Sequence, residues 1–224
     1  MPFAEALADV RARIASASER SGRNPDDVRL IAVTKTVNVE MILAAQESGL
    51  VDFGENRVQE ARDKIPEISG ARWHLIGKLQ SNKANLAARL FDAIQSIDNA
   101  DTARKVASAR DPMKDPIAAL IEVDFTGIAG RAGVPAEEAL SLTRQVVGMP
   151  GIHLMGLMTI APPGDTAETR RCFAELRNLR DQIQDQTTWA LPELSMGMSD
   201  DFEIAIEEGA TMIRIGRALF GDRR

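Results

Sequence analysis

The chain has 224 residues, 44% of them hydrophobic and 27% charged, which is room for one generous domain or two small ones and excludes a disordered or fibrous chain. A net charge of −6 supplies no field for nucleic acid or an acidic membrane surface. One cysteine, Cys172, closes no internal disulfide and leaves no clustered-thiol metal site, so the cytoplasm is the expected compartment and no metal is expected.

The first segment sets Phe3, Leu7, Val10 and Ile14 on one helical face, before Gly22 and Asn24-Pro25 stop it. Glu5 and Asp9 fall where a secretory signal needs an apolar core, so secretion is not expected. Val28 to Lys35 is a continuous β-rich run, the pattern of a strand buried on both faces. Asn38 can cap a helix through Glu47, Gly49 ends it, and Leu50 to Asn56 follows as a second short run. The same alternation then repeats. A helix from Arg57 stops at Pro66; Ala71 to Gly77, Ala93 to Asp98 and Ile117 to Asp124 read as further strands with helices between them. A helix near Ala136 to Val147 precedes a strand within Ile152 to Ile160. The 20 uncharged residues between Arg144 and Asp165 hold Gly148, Pro150, Gly151, Gly156 and Pro162, so they read as turn, strand and turn and not as a membrane span. A long helix with Phe173, Leu176, Leu179 and Ile183 on one side leads to Leu191 to Gly197, a helix over Asp200 to Glu208, and Thr211 to Gly216.

Eight short apolar runs alternating with helices predict parallel βα units, and the eighth allows closure into a (β/α)8 TIM barrel with an extra N-terminal helix. An open doubly wound sheet is the alternative, but no G-x-G-x-x-G opens the first helix; VTKTVN puts a lysine there instead. No linker is evident, so residues 1–224 are expected to form one domain.

Reactive groups in such barrels sit where strands end. Those ends carry Lys35, Asn56, Met158, Ser195 to Gly197, and Arg214 with Gly216. Lysine is almost never fully buried unless paired or functional, and a desolvated one forms Schiff bases. The turns SMGMSDD and IGRALFG offer backbone N–H groups after strands seven and eight, where barrels commonly bind phosphate. An aldehyde site at Lys35 with a phosphate site opposite suggests pyridoxal phosphate. Arg214, facing its ring nitrogen, could donate a hydrogen bond but accept no proton; an ion pair of Arg214 with Asp200, Asp201 or Glu203 fits the spacing equally well. A structural Lys35 with a sugar phosphate as ligand also remains open. Asp200 and Asp201 read as first-turn residues pointing away from a phosphate, and Met155, Met158, Met196 and Met198 as gap fillers around a ring.

The runs AVTKTVNVEMI, DFGENRVQEARDKI, WHLIGKLQSNKAN, GLMTI and LSMGMSDDFEIAIEEGATMIRIGRALFG resemble, in order and spacing, the YggS/PROSC family of pyridoxal-phosphate-binding proteins over essentially the whole chain. That family is similar to the N-terminal barrel of alanine racemase, which implies the fold-type III arrangement. The resemblance implies that Lys35 holds the cofactor covalently, Asn56 lies near its ring, and Arg214 faces its pyridine nitrogen. It implies that Ser195, Gly197, Gly216 and Arg217 receive the phosphate, Arg217 through its backbone because many relatives have Thr or Ser there. Arg131 likewise stands where many relatives have Lys.

The implied role is cofactor binding, buffering and delivery to pyridoxal-phosphate-dependent client enzymes. The alternative is a small racemase-like enzyme acting on amino acids. Two-base racemisation of the alanine racemase type uses a tyrosine from a second domain; this chain has no tyrosine and no length beyond Arg224 for that domain, so catalysis of that kind is not expected. His74 could substitute as a base, but reads first as a partly buried histidine beside Trp73, and His153 starts a strand at the far end. Without the second domain the expected state is a monomer.

Overall fold

The computed structural model describes residues 2–128, 130–162 and 164–221. Its centre is a closed barrel of eight parallel strands: β1 (Arg29–Val33), β2 (Asp52–Glu55), β3 (Arg72–Leu75), β4 (Ala93–Ile97), β5 (Ile117–Asp124), β6 (Ile152–Met158), β7 (Glu193–Ser195) and β8 (Met212–Ile215). Each strand pairs with the next, and β1 pairs with β8 in the register Leu30 to Ile213 and Ala32 to Ile215, which closes the ring. The strands are short and almost wholly buried, as continuous apolar runs require when both faces are covered.

Helices follow the strands in turn: α2 (Val39–Glu47), α3 (Val58–Lys64), α4 (Ala84–Leu90), α5 (Ala100–Ala109), α6 (Ala136–Val146), α7 (Thr166–Asp185), α8 (Phe202–Glu207) and α9 (Arg217–Phe220), with α1 (Phe3–Arg20) ahead of the barrel. Local chemistry sets their starts. Asn38 accepts the Met41 N–H at 3.0 Å, Asn99 that of Thr102 at 2.8 Å, and Asp165 that of Ala167 at 2.9 Å. The apolar core lies between barrel and helices, with Leu7, Val10 and Ile14 of α1, Phe53, Trp73, Phe91, Phe173 and Phe202 buried in it.

Two details depart from the sequence reading. Val134–Pro135 forms a two-residue strand beside Val123 and Asp124, too short for any periodicity to betray. Helix α8 begins at Phe202, so Asp200 and Asp201 precede it instead of occupying its first turn; the Asp201 carboxylate accepts the Met198 N–H at 2.5 Å and makes no side-chain cap to the helix. Among the described residues no helix is long and apolar enough to cross a membrane.

Candidate functional site

A cavity of about 370 Å3 opens among the C-terminal ends of the strands. Lys35 enters it after β1, Asn56 after β2, Ile76 after β3, Ile160 after β6, Met198, Ser199 and Asp200 after β7, and Arg214, Gly216 and Arg217 from β8 and its exit. Its size falls in the range of small-molecule sites, roughly 300–1,000 Å3. Val33, Ile76, Ile160 and Met198 give it apolar walls, and the same cavity takes in the Lys35 amine, Ser199 and the backbone that opens α9 at Gly216 and Arg217.

Arg214 is buried, and two of its five N–H donors fix its orientation: Nη1 donates to the Ser195 hydroxyl at 2.6 Å and Nη2 to the Thr159 carbonyl at 2.8 Å. Burial pulls this guanidinium down to about 10, against the opposing attraction of Glu122 and Asp201, so it stays protonated at neutral pH and acts only as a donor. Behind it runs a buried hydrogen-bond chain drawn from four strands. The Ser195 hydroxyl donates to Gln95 Oε1 at 2.6 Å, Gln95 Nε2 lies 3.1 Å from His74 Nδ1, and His74 Nε2 lies 2.9 Å from Asp52 Oδ1. With the Gln95 oxygen taken by Ser195, its amide N–H groups face Nδ1, so the imidazole carries its proton on Nε2 and donates it to Asp52. Asp52 is also bonded by Arg72 at 2.8 Å. Burial would raise the Asp52 carboxyl, but His74 and then Arg72 hold it below its ordinary value.

Lys35 occupies the second position of a turn that closes with the Val37 N–H on the Thr34 carbonyl at 2.9 Å. The third position, Thr36, has φ +61°, a left-handed conformation that a β-branched residue rarely adopts. Such backbone costs about 1–3 kcal/mol and persists where surrounding contacts impose it. In the loop after β3 Gly77 packs against Asn56: a Cβ at Gly77 would stand 2.4 Å from the Asn56 carbonyl oxygen, so glycine there permits the close approach of the two loops at the cavity wall.

Of the sequence-derived site residues, Lys35, Asn56, Arg214, Gly216 and Arg217 share this cavity. Met158 and Ser195 are wholly buried and do not line it. The Ser195 hydroxyl is used up inside the barrel by Arg214 and Gln95, so its place is beneath the site and not at its mouth. Gly197 also lies off the lining; its φ of +93° turns the loop back onto α8 and its carbonyl accepts the Arg214 N–H at 3.0 Å. Arg214 donates to Ser195 and Thr159 and not to Asp200, Asp201 or Glu203. Arg131 donates to the Ile160 carbonyl at 3.1 Å, holding a wall residue from behind.

Sequence reasoning missed Ser199 and the orientation of Asp200. Ser199 lines the cavity and its hydroxyl accepts the Ala218 N–H at 3.2 Å, joining the two loops; Asp200 also lines the cavity and pairs with Arg217. The available signal was SMGMSDD itself, where Gly197 reverses the chain and brings the second serine, not the first, to the opening. His74 is committed at both ring nitrogens, and His153 is exposed near the start of β6, at the opposite end of the barrel.

The family model described as alanine racemase, N-terminal domain, matches residues 6–224. The pyridoxal phosphate homeostasis protein of Aquifex aeolicus is 41% identical over the whole of both chains. The protein of that name from Pseudomonas aeruginosa is 40% identical over 99% of this chain and 96% of its own. Among solved structures, PipY of Synechococcus elongatus PCC7942 with PLP bound superposes with TM-score 0.85 at 36% identity, over 98% of this chain and 100% of that one. An alanine racemase from Clostridium difficile shares the fold, with TM-score 0.78 at 13% identity over 95% of this chain and 55% of its own.

Proposed function

Because the chain belongs to the alanine racemase N-terminal domain family and, within it, to the pyridoxal phosphate homeostasis proteins, we propose that it binds pyridoxal 5'-phosphate and takes part in holding and releasing that cofactor. The observation that carries this reading is the meeting of Lys35, Arg214 and the loops after β7 and β8 in one cavity. The residues fit the group: an amine for its aldehyde, apolar walls for its ring, a permanent donor for its ring nitrogen, and a hydroxyl with helix-start N–H groups for its phosphate.

When bound, pyridoxal phosphate supplies a reactive aldehyde and a ring that withdraws electrons. In our reading Lys35 holds it covalently, Asn56 borders the ring, and Arg214 donates to the pyridine nitrogen. Gly216 and Arg217 receive the phosphate from the β8 exit, and Ser199 joins them from the β7 exit. Gly197 shapes that second loop; Ser195 orients Arg214; Met158 packs beneath the opening. An arginine facing the pyridine nitrogen would keep that nitrogen unprotonated, which weakens the ring as an electron sink and narrows the reactions open to it.

The absence of tyrosine from the sequence and the commitment of both His74 nitrogens support a carrier over an amino-acid racemase. The same reading makes residues 1–224 one domain, active as a monomer in the cytoplasm, with pyridoxal-phosphate-dependent enzymes as recipients. The test is direct. Wild-type protein is expected to take up pyridoxal phosphate and develop visible absorption that Lys35→Ala abolishes, and the loaded protein is expected to leave single amino acids optically unchanged on chiral analysis. Visible absorption retained in Lys35→Ala contradicts the assignment of Lys35, and sustained isomer formation contradicts the carrier role.

A further inference from the structure

In the run DFGENRVQEARDKI, Glu60 and Lys64 do not line the cavity. They sit one helical turn apart on α3, and both reach back to the turn that bears Lys35. The Glu60 carboxylate accepts the Thr36 N–H at 2.5 Å and the Lys64 ammonium at 2.6 Å. Lys64 also donates to the Thr34 carbonyl at 2.7 Å and to Glu55 at 2.9 Å. Glu55 in turn accepts the Thr34 hydroxyl at 2.7 Å. The Lys64 side of the knot is largely withdrawn from water, with the side chains of Glu55, Lys64 and Glu60 at 0%, 12% and 26% exposure, so its ion pairs are screened less than surface pairs, while the Glu60 bond to the Thr36 N–H lies at the exposed edge.

We propose that Glu60 and Lys64 are positioning residues for Lys35, gripping the backbone on either side of it, Lys64 at the Thr34 carbonyl and Glu60 at the Thr36 N–H. The inference rests on Lys35 being the cofactor's amine. Its physical ground is the strained residue. A turn with positive φ at its third position ordinarily takes glycine or asparagine there, and this chain has Thr36. Left alone, Thr36 would relax to negative φ, and the preceding Cα–Cβ bond of Lys35 would swing away from the cavity. A carboxylate fixed to the Thr36 N–H opposes that relaxation, and the ammonium fixed to the Thr34 carbonyl anchors the other end. The outlier therefore sits beside the one residue whose direction the site depends on, which is where stored backbone strain has a use.

This role differs from plain structural support in what should repair it. Removing the Glu60 carboxylate frees Thr36 to relax, but glycine at 36 adopts positive φ without strain. Full-length wild type, Glu60→Ala, Glu60→Gln and the double variant Glu60→Ala/Thr36→Gly are titrated with pyridoxal 5'-phosphate, following visible absorption, with thermal melts in parallel. We expect Glu60→Ala to weaken binding about tenfold or more, Glu60→Gln, which keeps an acceptor, to lose less, and Thr36→Gly to recover most of the loss in the double variant although its melting temperature stays low. Binding unchanged in Glu60→Ala overturns the proposal, as does a double variant that binds no better than the single one or binding losses that merely follow the melts. Wild-type protein whose reduced cofactor maps to a residue other than Lys35 overturns the cofactor assignment itself, and this inference with it.

Discussion

A guanidinium enclosed in a barrel keeps its charge because its donors find acceptors, and Arg214 has two, Ser195 and Thr159. Ser195→Ala would strip a partner from Arg214 and another from Gln95, each buried. The expected loss is about 1–3 kcal/mol, read as a lower urea midpoint together with weaker pyridoxal phosphate binding; an unchanged midpoint contradicts the orienting role given to Ser195. Glu122 is the second interior charge in this field, and its Oε2 has no hydrogen-bond partner. Burial pushes its carboxyl from 4.5 up to about 7, in spite of the lowering pull of Arg214, with Asp98 raising it and Lys78 and Arg131 lowering it. The folded chain therefore binds this proton up to a higher pH than the unfolded one, and stability falls as pH rises from 4.5 to about 7. At ~1.4 kcal/mol per pH unit, the penalty above that window is on the order of 3 kcal/mol. Glu122→Gln removes it, so its urea midpoint should exceed wild type by more at about pH 8 than at about pH 5; an equal difference at both would show that Glu122 does not titrate in that window.

At the scale of elements, the loop between β7 and α8 depends on Gly197. A Cβ there would meet the Ala205 Cβ at 2.6 Å and the Phe202 Cα at 2.9 Å, and the residue's φ is +93°. Neither neighbour is a flexible side-chain tip, so Gly197→Ala must push the loop off α8 and carry Ser199 with it. Weaker cofactor binding and a lower melting temperature should appear together; a variant that binds as wild type would show the loop to be irrelevant to the phosphate. Elements were legible in the sequence to the extent that one-dimensional patterns specify them. Apolar runs located all eight strands, and Asn38 marked the start of α2. The same patterns could not say which serine of SMGMSDD meets the opening, because that depends on a reversal at Gly197 after strand alternation has ended. Nor could they reveal the Glu60–Lys64 grip on the Lys35 turn, whose partners lie in the turn after β1, on β2 and on α3 and meet only when the barrel closes.

In the whole molecule, α1 joins the start of the chain to the two helices that follow the site loops. Arg13 makes a two-point pair with Glu203 at 2.9 and 3.1 Å and lies 4.6 Å over the Phe202 ring, while Phe3 stacks on Phe220 at 5.5 Å. The Arg13 side chain is about one-third exposed at 35%, so the pair is screened, and Arg13→Ala should cost no more than about 1 kcal/mol of stability. A drop several times larger in the urea midpoint would make α1 a keystone of the barrel instead of a brace. Barrel, brace and interior hydrogen-bond chain all serve to hold one amine and one guanidinium, carried by the neighbouring strands β1 and β8, in the same opening. The central claim is that this amine carries the cofactor. Borohydride reduction of the protein loaded with pyridoxal 5'-phosphate, followed by intact mass and peptide mapping, reports ligand and attachment point together: a single pyridoxyl-phosphate adduct on Lys35 is expected, and no adduct, or one on another lysine, would contradict the account.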